Sequence, residues 1–156
     1  MVRITAYTGV LFAMLVAPIP AAQPFSVTID KAIDLPKETI YARTLKWTAE
    51  SFSSGHTVIE TADKTRGLIV GSGTVDAMTG WAIFKRRVPM RVKLTVSIQN
   101  NKYALTFTDV QVGGQSSQFT AIEQTNSADS EEAARDAFGQ LANRLQTYLL
   151  KPRLDE

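Results

Sequence analysis

The chain has 156 residues, with 17 Lys+Arg against 15 Asp+Glu, one His and no Cys. That length suits one domain, or one domain with a processed segment. Zero Cys excludes disulfides, thiolate metal sites and cysteine nucleophiles, and one His excludes every multi-histidine metal centre, so neither a metal nor a cofactor is expected.

Residues 1–22 read as a secretory signal. Arg3 supplies the positive start, Val10 to Ala17 is an unbroken apolar run, Pro18 and Pro20 break the helix, and Ala21-Ala22 offer small residues before a cut ahead of Gln23. The run is shorter than the roughly 20 residues that span a bilayer. The expectation is therefore an exported chain, periplasmic or secreted, whose residues 23–156 form a single domain. Cleavage would leave 134 residues and, because Arg3 goes and no acid does, a net charge of +1. So small a charge does not argue for nucleic acid. Its distribution is uneven. Between Ala77 and Thr108 stand six basic residues and no acid, and from Asp109 onward eight acids face four bases.

Along the mature chain, Phe25, Val27 and Ile29 alternate with Ser26 and Thr28 in a half-buried strand. Leu35-Pro36 opens a helix over 36–53, with Glu38 in its first turn and Tyr41, Leu45, Thr48 and Phe52 at helical spacing. His56 to Thr61 and Gly67 to Val75 read as two strands joined by a turn at Asp63 to Gly67, and 79–86 as a doubtful extension of the sheet.

The strongest local pattern is Val88 to Val112. Met90, Val92, Leu94, Val96 and Ile98 alternate with Arg91, Lys93, Thr95, Ser97 and Gln99. A two-residue turn at Asn100-Asn101 pairs Ile98 with Tyr103, Val96 with Leu105 and Leu94 with Phe107. That register puts the apolar side chains on one face, and a slip by one residue would scatter them. Arg91, Lys93, Thr95, Ser97, Thr106 and Thr108 take the other face. A short strand follows at 118–123. Asp129 with Glu132 marks a helix start, and Ala134, Phe138, Leu141, Leu145 and Leu149 make its apolar stripe until Pro152 ends it. The order predicts an α+β two-layer sandwich: an antiparallel sheet of about five strands, two helices packed on one face, and the opposite face open.

The stretches Glu38-Thr39-Ile40-Tyr41, Leu45-Lys46-Trp47 and Ala62-Asp63-Lys64-Thr65-Arg66-Gly67-Leu68-Ile69-Val70-Gly71-Ser72-Gly73 carry a resemblance. In them the chain resembles a bacterial family of exported proteins of unknown function with a fold like that of the TATA-box-binding protein. It departs at the helix start, where Leu35-Pro36 stands in place of a stronger cap. The resemblance implies a fold and no chemistry, and a fold shared with a DNA-binding protein carries no DNA function with it.

Each candidate for chemistry has a plainer explanation. Gly71-Ser72-Gly73, with Asp76 in third place, looks like part of a nucleotide-binding turn, but no helix pattern follows, and the glycines suit a close helix approach. His56, with Ser53, Ser54 and Glu60 near it in sequence, supplies the parts of a serine triad without any sign that they meet. Asp30, Asp34, Glu60, Asp63, Asp76 and Asp109 fall near strand ends without a spacing that marks an acid–base pair. Trp81 beside Lys85-Arg86-Arg87 suits either packing at the sheet edge or contact with an anionic glycan.

The function favoured by these residues is a non-enzymatic binding or scaffolding domain acting through a polar, basic sheet face. Its expected site is Lys85, Arg86, Arg87, Arg91, Lys93, Thr95, Thr106, Thr108 and Trp81. The expected partner is an envelope protein or an anionic glycan or lipid surface, with no role for nucleic acid. The competing expectations are an envelope hydrolase built on carboxylates or His56 in a cleft, and a homodimer that buries the same face.

Overall fold

The structure, a computed structural model, describes residues 24–51, 58–80, 85–114, 118–125 and 127–151. Residues 1–22, expected to be a secretory signal, and His56 and Trp81 lie outside the described residues. The elements in chain order are β1 (Val27–Ala32), α1 (Lys37–Ser51), β2 (Val58–Asp63), β3 (Leu68–Thr79), β4 (Arg86–Gln99), β5 (Lys102–Gly113), β6 (Phe119–Ala121), a single 3-10 turn at Ile122–Gln124, and α2 (Ala128–Leu150). The six strands form one antiparallel sheet in the order β1-β5-β4-β3-β2. β6 pairs with the far end of β5, through Gln111 to Gly113, and extends the edge that β1 occupies lower down.

The β4–β5 hairpin holds the expected register, with Leu94 opposite Phe107, Val96 opposite Leu105 and Ile98 opposite Tyr103. Asn101 takes the left-handed backbone that the turn requires, at φ 61°. The register breaks once. Between Lys93 opposite Thr108 and Arg91 opposite Gln111, Val92 alone faces both Asp109 and Val110. This is a β-bulge, and Asp109 sits in it at φ 51°. The extra residue inverts the alternation of β5. Tyr103, Leu105 and Phe107 point to the helices before the bulge, and Val110 and the half-buried Val112 after it.

Helices α1 and α2 cover one face. From α1, Ile40, Tyr41, Thr44, Trp47 and Thr48 are buried. From α2, Ala134, Phe138, Leu141, Leu145 and Leu149 form the buried line that the sequence pattern marks. Phe138 stacks on Phe107 of β5 with ring centroids 4.2 Å apart and planes 4° from parallel. Gly71 and Gly73 lie mid-strand in β3 on this covered face, which removes the nucleotide-turn interpretation. A Cβ on Gly71 would stand 3.2 Å from the Val58 carbonyl oxygen and 3.8 Å from Thr48 of α1, so the small residue lets the helix and the edge strand approach.

The weak helix start at Leu35-Pro36 is completed from elsewhere in the chain. The Asn100 side-chain oxygen accepts the Lys37 N–H at 3.1 Å, and Asn101 N–H donates to the Leu35 carbonyl at 3.2 Å. The turn of the β4–β5 hairpin therefore serves one of the orphan donors of α1. The Lys37 ammonium reaches the Thr65 carbonyl at 2.7 Å, and Ile98 N–H donates to the Gly67 carbonyl at 2.7 Å. Gly67, at φ 69°, is irreplaceable there, because a Cβ would lie 2.3 Å from the Ile98 carbonyl oxygen. At the other helix, Ser127 rather than Asp129 is the cap, its hydroxyl accepting from Ser130 N–H at 3.3 Å. Asp129 sits in the first turn, where a negative charge suits the helix dipole. The end of α2 is held by Arg43 of α1, which donates to the carbonyls of Leu149 and Lys151.

This arrangement separates Leu94 from its neighbour Thr95, since adjacent residues of a strand point to opposite faces. Leu94 is 2% exposed and contributes to the core. Leu94→Ala should cost about 2–5 kcal/mol in chemical denaturation, and Thr95→Ala much less. Equal losses at the two positions would mean that the faces are misassigned.

Candidate functional site

With one face under the helices, the opposite face of the sheet is open. Strand pairing lays the open face out in cross-strand rows: Ser72, Lys93 and Thr108; Thr74, Arg91 and Gln111; Val70, Thr95 and Thr106. Arg91, Lys93, Thr95, Thr106 and Thr108 therefore come together. Thr106 extends its row to the edge, with its hydroxyl 3.2 Å from that of Thr28 in β1.

The remaining expected residues separate. Arg87 shares the face and lies 3.6 Å from Asp76 of β3. Arg86 has the opposite parity. It borders a hollow of about 200 Å³ with Ser127, Asp129 and Ser130 at the start of α2. Lys85 precedes β4 and is exposed, and Trp81 lies outside the described residues. The three consecutive basic residues thus do not act as one patch.

Between β2 and β5 the open face dips into a depression of about 430 Å³ lined by Glu60, Ser72, Thr74, Arg91, Lys93, Asp109 and Gln111, with Gly73 and Val92. Two irregularities supply its acids. In β2 the pairing with β3 shifts between Ile59 and Thr61, and Glu60 occupies the shift. Its carboxylate reaches across β3, accepting the Ser72 hydroxyl at 2.9 Å and meeting the Lys93 ammonium at 3.0 Å. From the other side, the bulge in β5 brings in Asp109. Arg91 lies with its guanidinium carbon 4.0 Å above the ring centre of Phe119 in β6. Such stacking holds the flat cation in place while leaving its N–H edges free to bind.

The sign of this site differs from the sequence expectation. Within the depression, Arg91 and Lys93 are balanced by Glu60 and Asp109. The basic block of the sequence folds against acids drawn from β2, β3 and β5, so the face is mixed rather than basic. A second groove, of about 290 Å³, lies at the hairpin end over Ala32, Ser97 and Ala104, flanked by Asp30, Gln99 and Lys102. It brings together fewer charged groups. Among the described residues no three His, Cys, Asp or Glu side chains are placed to hold a metal ion, and no helix is long and apolar enough to cross a membrane.

The electrostatics define what the Glu60–Lys93 pair does. The Lys93 hydrogen bond, followed by that of Ser72, holds the Glu60 carboxyl below its ordinary value of 4.5. The same bond raises the Lys93 ammonium above 10.5. Both shifts lead away from neutrality, so the contact favours the charged form of each group. Tyr103, on the covered face, is pushed up to about 12 by burial.

Because Glu60 has a lower pKa folded than unfolded, its contribution is present above the unfolded value and is lost as pH falls through the folded one. An NMR titration should find Glu60 protonating below 4.5, and Lys93→Met should move that midpoint upward. An unmoved midpoint would show that the ammonium is not its stabilising partner.

Of the residues lining the depression, Ser72, Thr74 and Gln111 are not among those the sequence placed on the binding face, and Glu60 and Asp109 stand in the sequence only among the carboxylates near strand ends. Asp109 and Gln111 had a signal in the sequence. The inward positions run Tyr103, Leu105, Phe107 and then Val110, Val112, and that skipped beat is the mark of a bulge. For the contact of Glu60 with Lys93 the sequence holds no signal, since the two meet across two strand boundaries.

Solved structures share this architecture. A crystal structure of a DUF4468 family protein from Bacteroides ovatus superposes with a TM-score of 0.63 at 14% sequence identity, over 85% of this chain and 90% of the other. A TBP-like protein from Parabacteroides distasonis superposes with a TM-score of 0.61 at 12% identity, over 82% of this chain and 94% of the other. No curated protein matches. At such identities the likeness is one of fold. The family model for the domain of unknown function DUF4468, described as having a TBP-like fold, matches residues 25–112, and the protein belongs to that family.

Proposed function

We propose that the protein is an exported, non-enzymatic binding or scaffolding domain whose open sheet face, centred on the depression around Arg91 and Lys93, is its recognition surface. The observation that carries this is the asymmetry of the sheet. One face is sealed by two helices, and the other presents a depression lined by four charged side chains and the polar groups of Ser72, Thr74 and Gln111. Arg91 anchors the partner. It is the charged group there that is exposed, flattened on an aromatic ring and free of any acidic partner among the described residues. A guanidinium so held recognises carboxylate or phosphate oxygens through two parallel N–H donors. The partner therefore presents an anionic group, on an envelope protein, a glycan or a lipid surface.

A hydrolase finds less support. Its acid and base would need pKa values moved toward neutrality, and the Glu60–Lys93 pair is moved the other way. The Ser53, Ser54 and His56 constellation lies outside the described residues.

Export is tested by mass. Protein recovered from the periplasm or medium should lack residues 1–22, and full-length protein confined to the cytoplasm would refute export. The binding surface is tested with the double variant Arg91→Glu, Lys93→Glu. It should melt near the wild-type temperature yet lose the envelope partner that wild type retains, and the wild-type interaction should weaken as salt rises. Retention of the same partner at the same salt tolerance would move the site elsewhere.

A further inference from the structure

The depression holds one cation and one anion without an ion-pair contact among the described residues, although Asp109 acts on the Lys93 ammonium through space. Among the described residues the ion pairs are Lys46–Glu50, Arg87–Asp76 and Lys93–Glu60. Lys93 is therefore engaged, and both oxygens of Glu60 are taken, one by Lys93 and one by Ser72. Arg91 and Asp109 line the same depression, and neither has an ion-pair partner among the described residues. They do not collapse onto each other. Arg91 is drawn toward the sheet edge by its stack on Phe119. Asp109 is fixed by the bulge, two residues before Gln111, the residue opposite Arg91.

Asp109 also adopts a backbone that L-residues rarely take, at φ 51°. Glycine would serve that bulge position without strain. Asp tolerates it at some cost, and strained residues of this kind cluster at binding sites. The bulge has a directional consequence: it removes Asp109 from the alternation that would have turned it toward the helices and leaves it exposed at the depression. A carboxylate beside Lys93 and Arg91 would be a poor choice for a receptor of plain anions, because it repels them. It is a good choice for a ligand that carries its own positive charge.

We propose that the depression binds a small zwitterion of amino-acid or dipeptide size, its carboxylate seated on the Arg91 guanidinium and its ammonium on the Asp109 carboxylate. This rests on the open face being the recognition surface and specifies the chemistry that the face selects. Lys93, braced by Glu60, stands on the same strand as Arg91, two residues on, and assists with the carboxylate. Thr74 and Gln111, in the Arg91 row, supply neutral donors and acceptors. The four charges of the depression balance, so a ligand without net charge enters with no long-range penalty.

The test uses three forms of one peptide followed by NMR at the amides of Arg91, Val92, Lys93, Asp109 and Gln111. The forms are L-alanyl-L-alanine with both termini free, its N-acetylated form and its C-amidated form. The free dipeptide should bind at least tenfold more tightly than either blocked form. Asp109→Asn should reduce the free dipeptide to the affinity of the N-acetylated one without weakening the latter. Asn also accepts the left-handed backbone, so this variant removes the charge and keeps the bulge. Arg91→Gln should reduce the free dipeptide to the affinity of the C-amidated one.

If the N-acetylated form binds as tightly as the free dipeptide, at the same amides, the zwitterion proposal is overturned and the face stands as a receptor for anions. If none of the three moves those amides, the proposal is likewise overturned. The partner retained or lost by the Arg91→Glu, Lys93→Glu variant then decides the broader recognition role on its own.

Discussion

One end of the molecule is tied by a few hydrogen bonds, from side chain and backbone, on which both layers depend. The Asn100-Asn101 turn sets the β4–β5 register and at the same time receives the first N–H of α1. Lys37 links that turn to the β2–β3 turn through the Thr65 carbonyl, and Gly67 closes the junction where its missing Cβ leaves room for Ile98. Two hairpins and a helix start are thereby fixed relative to one another. The sheet can then bury its whole apolar face under α1 and α2, because every strand presents the correct parity to them. The asymmetry that leaves one face open follows from this junction as much as from the apolar stripes of the helices.

The hairpin register was legible in the sequence because two independent signals agreed: a turn that tolerates positive φ, and strict alternation from Met90 to Gln99 before it and from Lys102 to Thr108 after it. The helix stripes from Ala134 to Leu149 were legible for a similar reason, since period 3.6 is sustained over several turns. The bulge at Asp109 was not extracted, although the inward positions jump from Phe107 to Val110. Alternation argues for strands by continuity, and a single break in it is easily read as the end of a strand. Here β5 continues to Gly113 and pairs with both β4 and β6 beyond the break. The cap of α1 was illegible in principle. It comes from Asn100, 63 residues along the chain, and no local pattern reveals a helix capped by tertiary structure.

The candidate site was legible by half. Which residues of β4 and β5 share the open face follows from parity alone, and Arg91, Lys93, Thr95, Thr106 and Thr108 do share it. What their charges amount to does not follow. Six bases without an acid between Ala77 and Thr108 suggested a positive face. Folding answers them with acids from other strands: Asp76 beside Arg87, Glu60 on Lys93 and Asp109 within the same depression. Parity also removes Arg86 to the helix side. A run of like charge in sequence becomes a patch only if the neighbouring strands leave it uncompensated, and strand order is the one thing a run of residues does not record.

The two bulges connect these threads. Each breaks the ladder at a small cost in hydrogen bonding, and each falls in a strand that flanks the β3–β4 pair at the centre of the site. The β2 irregularity places Glu60 where it can satisfy Ser72 and Lys93 together. The β5 bulge turns Asp109 outward beside them. Had β5 continued in register, Asp109 would have turned toward the helices and the depression would have kept a net positive charge. The β5 bulge serves the core, since it turns Val110 and Val112 toward the helices. Its second consequence lies on the open face, where both departures bring an acid to one lysine and one arginine. They give it a site whose charges balance overall while Arg91 and Asp109 remain unpaired within it, and that is the property a ligand carrying both signs of charge would read.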